Sequence, residues 1–311
     1  MTPFLPNPFI LVVLVLFFRI QGHSSPAGFP FLKLGVGAVS QGMGEATLAH
    51  GEDASAVNSN PSALARLTHK EVFLYHNQFS LDTQYYYTAY AHPLKSGALG
   101  VSILHVSKGS FEGRDENRNK TGNFTAYDSQ WSLAFARTLG EKTSLGAGIK
   151  GIRSKIGSFS SSGVALDLSG SYRFSPKVRL AGGIFHLGPD MTYIEKPVSL
   201  PRRIQGGLSY KAFKSLALEA DARYGLVDSK FSFSLGGEYQ LMKKTSFRAG
   251  YLSSREAARD AEKNNKILKA LGGFSLGMGF NLFSSMNLDY AFVPMGDLEN
   301  QHHMSLRWRF Q

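Results

Sequence analysis

Polar and apolar residues alternate over long stretches of this chain beyond residue 68. From residue 216 to residue 224, apolar residues occupy the even positions, while Glu219, Asp221 and Arg223 occupy odd positions. The alternation recurs from 231 to 239, and both runs end on a tyrosine. A strand turns successive side chains to opposite faces, so each run predicts a strand with one apolar and one polar face. Repeated runs that end on an aromatic residue favour a transmembrane barrel, whose strands take about 9–11 residues, over a soluble sandwich.

The same pattern predicts an all-β fold, an antiparallel transmembrane β-barrel of about 14 strands, an even number as single-chain outer-membrane barrels require. The predicted strands are 70–80, 83–93, 96–108, 124–138, 142–154, 162–175, 177–187, 202–211, 214–225, 229–240, 244–253, 270–281, 284–293 and 301–311. The last of these strands is expected to close the barrel.

The lengths of the predicted connections support a membrane-spanning barrel. Connections after even-numbered strands are short, such as 94–96 and 175–177, whereas those after odd-numbered strands are longer and polar, notably 108–123, 188–201 and 254–269. Short periplasmic turns that alternate with long external loops are typical of transmembrane barrels. Aromatic side chains favour a membrane interface, so a ring of them is expected near the short turns. The predicted ring consists of Phe174, Tyr210, Tyr239, Phe280 and Phe310.

The N-terminus predicts export. Residues 9–18 form an apolar run that is too short to span a bilayer as a helix and has the length of a signal-peptide core. Small residues follow at Gly22 and Ser24, so we predict a signal peptide over residues 1–24, cleaved near Ser24. A retained anchor or a misplaced start is the alternative, because no Lys or Arg precedes Arg19. Export together with amphipathic strands predicts the outer membrane of a double-membraned bacterium.

Residues 25–68 lack the strand pattern and are predicted to form a plug of short helices inside the barrel, called the hatch below. Asp53 or Ser55 is suited to cap a short helix, and Pro61 is suited to the first turn of another. The barrel then comprises residues 69–311. The candidate hatch residues are Gly42, Gly44, Asp53, Asn58, Asn60 and Pro61.

Charged residues of the strands are predicted to face the lumen, because a charge that faces lipid is costly. Facing inward, charges of opposite sign pair across strands. Two interpretations are open, a salt-bridged inner wall and a lumen that selects a substrate. The lumen-facing candidates are Asp167, Arg173, Glu219, Asp221, Arg223, Glu238, Arg248, Asp289, Arg307 and Arg309.

The composition narrows the range of partners. The chain has 311 residues, no cysteine and a formal net charge of +11, so disulfides and thiolate chemistry are excluded. Lys and Arg are spread over turns, loops and the predicted lumen, without a helix-turn-helix, zinc-finger or RNA-binding motif. We therefore expect no nucleic-acid partner, and we attribute the basic charge to lumen lining and to contact with the anionic headgroups of outer-membrane lipid.

No stretch of the sequence predicts catalysis or a cofactor. Residues 146–151 fit a dinucleotide-binding glycine pattern, and residues 273–277 fit the nucleophile elbow of hydrolases. Both stretches lie within predicted strands and lack the strand–turn–helix setting that these motifs need. His302 and His303 point to opposite faces of a strand, so the pair does not chelate one metal ion. We expect a protein that is not an enzyme and has no metal or cofactor.

Several blocks of the sequence resemble the PorV/PorQ-like family, which belongs with the FadL-type barrels. The blocks are 31–38, 42–46, 53–57, 58–64, 113–117, 201–210 and 293–298, with His302, 305–306 and Phe310. The resemblance covers nearly the whole chain after the signal peptide and implies a fourteen-stranded barrel with an N-terminal hatch. The Asn-Pro-Ala element of FadL-type hatches reads Asn60-Pro61-Ser62 here, and Val39 stands where relatives often have arginine.

This resemblance implies two alternative functions. FadL-type barrels move hydrophobic molecules across outer membranes, which predicts passive uptake of a hydrophobic or amphipathic small molecule past the hatch. PorV and PorQ proper serve type IX secretion, which predicts instead a non-catalytic accessory that binds secretion-system proteins. The first function requires a pocket with apolar walls between the hatch and the barrel.

Overall fold

The computed structural model describes residues 27–51, 53–79, 83–254, 272–295 and 300–310. The predicted signal peptide, residues 1–24, lies outside the described residues. The described residues form a closed antiparallel barrel with short helical turns inside it.

The barrel has fourteen strands, so the predicted fold class is confirmed. The strands of the chain are β1 (Lys70–Gln78), β2 (Gln84–Leu94), β3 (Gly97–Arg114), β4 (Lys120–Leu139), β5 (Thr143–Ile156), β6 (Phe159–Arg173), β7 (Val178–Leu187), β8 (Met191–Tyr193), β9 (Lys196–Val198), β10 (Arg203–Phe213), β11 (Leu216–Gly225), β12 (Phe231–Met242), β13 (Thr245–Leu252), β14 (Phe274–Phe283), β15 (Met286–Val293) and β16 (Gln301–Phe310). All of them except β8 and β9 belong to the barrel, and β1 pairs with β16 to close it.

The barrel wall is apolar on its outer face. Ile103, Leu133 and Leu168 point outward and are 53, 50 and 52% exposed. Their neighbours Ser102 and Ser132 point inward and are buried. An apolar surface that surrounds the cylinder is unfavourable in water and matches the lipid-facing band of a transmembrane barrel.

Aromatic residues lie on the outer face next to the short turns. Phe174, Tyr210, Tyr239 and Phe280 are all exposed there. Phe310 is half-buried because its ring stacks on Tyr90, with 6.2 Å between the ring centroids.

The hairpin of β3 and β4 extends into the stretch 108–123, which the sequence predicts as a loop. The two strands continue to pair as far as Arg114 and Lys120. Phe111 and Phe124 stack across the hairpin with 5.6 Å between their ring centroids. The extension is exposed on both faces, so it lacks the alternation that reveals the other strands.

A second predicted loop, 188–201, contains the small hairpin of β8 and β9. This hairpin packs back onto the barrel, where Met191 is buried against Gly163 of β6. Strands of three residues are too short for their periodicity to be seen in a sequence.

The hatch lies inside the barrel as four short helical turns. They are the 3₁₀ helix Pro30–Lys33, α1 (Ala38–Gly42), α2 (Ala56–Ser59) and the 3₁₀ helix Pro61–Arg66. Pro61–Arg66 packs on β3 to β6, whereas α1 packs on β13 to β16. Toward β1 to β5 the hatch is held by an apolar core that includes Val57 and Leu64. Among the described helices, none has the length and hydropathy to cross a membrane.

Candidate functional site

Wall side chains accept hydrogen bonds from the backbone N–H groups of the hatch. Asp221 Oδ2 on β11 accepts from Thr47 at 3.2 Å and from Leu48 at 3.1 Å. Ser305 Oγ on β16 accepts from Ala38 at 2.7 Å. Short helices leave most of their N–H groups without an internal partner, and buried N–H groups need one. The wall therefore completes the hydrogen bonding of the hatch.

Three more wall side chains act in the same way around the barrel. Glu71 Oε1 accepts from the N–H of Ala54 at 2.7 Å, Ser169 Oγ accepts from Ser62 at 2.9 Å, and Ser275 Oγ accepts from Gly44 at 3.2 Å. The sequence analysis does not single out Glu71 or the serines. The alternation along each strand predicts that these residues face the lumen. It does not predict their partners in the hatch, which are distant in the sequence.

The two predicted asparagines of the hatch hold its own fold and its contact with the wall. Asn60 Nδ2 donates to the carbonyl of Leu48 at 2.7 Å, while Asn60 Oδ1 accepts from Ser62 Oγ at 2.8 Å. Asn58 Oδ1 accepts from Gln130 Nε2 on β4 at 2.6 Å. Pro61 begins its 3₁₀ helix, as expected.

Neither Asp53 nor Ser55 caps a helix with its side chain. Ser55 stands at the N-cap of α2 without a side-chain hydrogen bond to the helix. Asp53 Oδ1 instead accepts from the N–H of Ser55 at 2.9 Å, which forms a tight turn before α2. The other carboxylate oxygen of Asp53 lies 3.6 Å from Arg307 Nη1 on β16.

The two glycine-rich stretches that resemble catalytic motifs, 146–151 and 273–277, are places where the hatch touches the wall. A Cβ on Gly146 of β5 would lie 2.2 Å from the backbone nitrogen of Ser62. Gly250 of β13, outside both stretches, makes a similar contact. A Cβ on Gly250 would lie 2.0 Å from the nitrogen of Gly44, whose own φ is +62°. The stretch 273–277 contributes Ser275, which binds Gly44. Glycine therefore serves backbone contact here rather than phosphate or oxyanion binding.

Several predicted lumen charges pair with the hatch. Arg223 Nη1 on β11 donates to Glu45 Oε2 at 3.0 Å, and Arg223 also donates to the Glu45 carbonyl. His50 Nδ1 lies 3.1 Å from Glu219 Oε1. Together with Asp221, these residues make β11 the main polar contact of the hatch.

Other predicted lumen charges pair with one another. Arg248 on β13 donates to Glu238 Oε2 at 2.5 Å and to Asp289 Oδ1 at 2.8 Å. Arg309 Nε donates to Glu71 Oε2 at 3.1 Å. Arg173 is exposed at the end of β6, where it donates to the Glu141 carbonyl at 2.9 Å, so it lies at the barrel rim. The role of these charges in selecting a substrate stays a prediction.

Asp167 pairs with a lysine that the sequence analysis does not single out. Lys150 Nζ on β5 lies 2.6 Å from Asp167 Oδ2 and 3.3 Å from the carbonyl of Asn58, and both side chains are fully buried. Asp167 Oδ1 accepts from the N–H of His186 at 2.8 Å, at a bulge between β6 and β7. Lys150 lies inside the stretch 146–151. Only its position in the alternation of β5 indicates that it faces the lumen.

Among the cavities that the described residues line in the lumen, two lie toward opposite ends of the barrel. The loop-end cavity, near the long loops, measures about 790 Å³ and is bordered by the hatch and by strands on both sides of the β1–β16 seam. Its lining includes Tyr75, Tyr85, Leu252, Val293, Arg203 and Arg223. The turn-end cavity, near the short turns, measures about 420 Å³ and is lined largely by charged and polar residues, among them His50, Asp53, Glu238, Arg248 and Arg307. The hatch separates the two cavities.

An ion pair joins the first turn of the hatch to an external loop. Lys33 Nζ lies 2.7 Å from Asp228 Oδ2, in the loop between β11 and β12. Partial burial alone would raise the pKa of Asp228, but the hydrogen bond and charge of Lys33 hold it below its ordinary value. The pair sits at the edge of the loop-end cavity.

These features define a class of protein, a fourteen-stranded antiparallel barrel plugged by an N-terminal segment, of the FadL-like fold. Among the described residues, no cluster of His, Asp and Glu is arranged to hold a metal ion. No protein-family profile matches the chain, and no curated protein matches it.

Solved structures of two toluene transporters and of a FadL homologue share this fold. The toluene transporter TbuX of Ralstonia pickettii aligns with a TM-score of 0.62 at 14% identity, over 89% of this chain and 99% of that one. The toluene transporter TodX of Pseudomonas putida aligns with a TM-score of 0.63 at 14% identity, over 88% and 98%. A FadL homologue of Pseudomonas aeruginosa aligns with a TM-score of 0.63 at 11% identity, over 94% and 100%. These similarities define the fold.

Proposed function

We propose that this protein is a passive channel of a bacterial outer membrane that admits a hydrophobic or amphipathic small molecule past the hatch. The observation that carries the proposal is the loop-end cavity of about 790 Å³ between hatch and wall. Small-molecule sites commonly measure about 300–1,000 Å³. The similarity to two toluene transporters and to the CymD monoaromatic hydrocarbon channel supports a hydrophobic ligand.

The lining of the loop-end cavity fits a molecule with an apolar body and a polar group. Leu252 and Val293 offer apolar surface, and Tyr75 and Tyr85 offer aromatic rings. The hydroxyl of Tyr85 is buried and has no hydrogen-bond partner among the described residues. Buried hydroxyls are normally paired, so a polar group of a bound ligand is its natural partner.

Passage requires a rearrangement on the polar side of the hatch. Toward β1 to β5, the apolar core excludes water and holds the hatch in place. Toward β11 and β13 to β16, the contacts are hydrogen bonds and ion pairs such as Arg223–Glu45, and both cavities reach this side. Arg223 and Glu45 both line the loop-end cavity, so water reaches this pair and replaces its hydrogen bonds at a small net cost. The hatch therefore opens first at this pair.

The apolar exterior and the transporter folds support a location in the outer membrane, with lipid as the surrounding partner. The similar structures are transport proteins rather than enzymes. This similarity supports a protein without catalytic activity.

Mass spectrometry of molecules that co-purify with the barrel from native membranes tests the proposal. We expect an apolar or amphipathic ligand with the native protein and its loss in Leu34→Trp, which fills the cavity from the hatch side. Leu235→Trp, on the outer face, is the matched control and is expected to retain the ligand. Equal ligand content in both variants would contradict the proposed site.

The alternative role, a PorV/PorQ-like accessory of type IX secretion, rests on the sequence resemblance alone. Co-purification of secretion components with the barrel is the expected result for this role. A barrel that co-purifies with a small-molecule ligand but without secretion components would support the channel function over the secretion role.

A further inference from the structure

The short-turn end of the barrel carries a ring of lysines that form no ion pair with the described residues. Six turns connect the strands at this end, and five of them hold at least one lysine. These lysines, called the lysine collar below, are Lys95, Lys142, Lys177, Lys214, Lys243 and Lys244, and all are exposed. Glu141 is the acidic residue of these turns, and no collar lysine forms an ion pair with the described residues.

At the opposite end of the barrel, by contrast, several basic residues of the described part of the chain are paired. Glu112 binds both Arg114 and Lys120 at 2.5 Å. Arg202 binds Asp190 at 3.2 Å, and Lys33 binds Asp228 at 2.7 Å.

Each turn of the collar follows a large apolar residue that is exposed on the barrel. Leu94 precedes Lys95, and Met242 precedes Lys243. Phe174 lies three residues before Lys177, and Leu139 lies three before Lys142. The lysines therefore sit where the apolar band ends, at the height where lipid headgroups meet the barrel. Lysine stems lie along apolar surface while the ammonium groups reach the polar layer.

We propose that the lysine collar binds the anionic headgroups of phospholipids in the leaflet next to the short turns. A soluble protein partner would need basic residues on one side of the barrel mouth. The collar instead follows the turns around the cylinder, from β2–β3 to β12–β13, and a lipid leaflet is the partner that surrounds a barrel.

Lipid selectivity measured by spin-label electron paramagnetic resonance tests the proposal. The intact chain is reconstituted in phosphatidylcholine vesicles that contain spin-labelled phosphatidylglycerol or spin-labelled phosphatidylcholine. We expect the protein to prefer phosphatidylglycerol on the order of threefold at low salt. We expect the preference to fall in 0.5 M salt, roughly where the screening length drops to a few ångströms.

The test variant replaces the four collar lysines that do not line the turn-end cavity, Lys95→Gln, Lys142→Gln, Lys177→Gln and Lys243→Gln. The matched control makes the same charge change at the other end, with Arg114→Gln, Arg118→Gln, Lys120→Gln and Lys196→Gln. We expect the test variant to bind both lipids equally and the control to keep the native preference. Circular dichroism and heat-modifiable gel migration check that both variants are folded.

Three results would overturn the proposal. They are a native protein without preference for phosphatidylglycerol, a folded test variant that keeps the preference, and a control that loses it to the same extent. If the collar serves a soluble acidic protein, the vesicles show the same lipid selectivity for all three proteins, which is also a negative result. Because the cavity linings are unchanged in the test variant, failure here leaves the proposed channel function to its own experiment.

Discussion

The carboxylate of Asp221 accepts the backbone N–H of Leu48 at 3.1 Å, across 173 residues of sequence. The same oxygen accepts from Thr47 and from Gln205 Nε2. Asp221 is 3% exposed, so these groups have little access to water as a substitute. One acidic residue of the wall therefore fixes the middle of the hatch.

Asp221→Ala is expected to loosen the hatch, because it leaves two buried N–H groups without an acceptor. Each such group costs about 1–3 kcal/mol, so a loss of about 2–6 kcal/mol in stability is expected. The temperature at which the barrel loses its folded gel migration measures this loss, and ion conductance across planar bilayers measures the leak. Asp221→Asn keeps one acceptor oxygen and should be milder. Unchanged conductance in Asp221→Ala would contradict this role of Asp221.

Gly146→Ala is expected to displace the segment around Ser62 from the wall. The new Cβ would meet the Ser62 nitrogen at 2.2 Å, and neither backbone is free to give way. Overpacking of this kind costs about 1–3 kcal/mol. Gly148→Ala on the same strand is the control, since its nearest neighbour, Pro61 Cγ, lies at an ordinary 3.4 Å. Thermal unfolding in detergent should separate the two variants; equal midpoints would refute the backbone contact.

Lys150→Met is expected to be strongly destabilising, because it leaves Asp167 buried without its cation. Breaking a buried pair from one side costs about 3–5 kcal/mol. In Lys150→Met/Asp167→Asn the charge is gone while an acceptor for the His186 N–H remains, so most of the loss should be recovered. Chemical denaturation of the three proteins measures this. A double variant no more stable than the single one would show that the pair acts through something other than its charge.

The contact between Lys33 and Asp228 is expected to persist down to about pH 4 and to fail below it. The folded-state pKa of Asp228 lies below the ordinary 3.8, so the stabilisation is complete above that value and is lost as pH falls through the folded pKa. For an exposed pair its size is less than about 1 kcal/mol. Acid at pH 5 should therefore not release this contact.

Spin labels at Ala27→Cys and Val227→Cys report the distance across this pair, since the chain has no native cysteine. A constant distance from pH 7 to pH 5, and a broader distribution in Asp228→Asn at every pH, are the expected results. A change near pH 6 would point to a histidine instead.

The sequence predicts the barrel well because each strand contacts a different medium on each face. In β11, Leu218 and Glu219 differ in polarity because one faces outward and the other faces the lumen. The extension of β3 and β4 around Phe111 is missed because both of its faces are exposed. The hatch contacts are missed for another reason: they join residues such as Ala38 and Ser305 that are far apart in the chain. Alternation gives the direction of a side chain but not the identity of its partner.

The hatch presents mainly its backbone to the serines and acidic residues of the wall, and this has a consequence for protein engineering. A foreign plug with the same backbone course should be accepted by this barrel if it keeps the hatch side chains that also meet the wall, Glu45, Asn58 and Leu64. Conversely, the hatch of this protein, grafted into another barrel, should not pack against the new wall unless Glu71, Asp221 and Ser305 are transferred with it. The barrel therefore supplies the acceptors for the backbone of the plug, and a graft has to carry both halves of the contact.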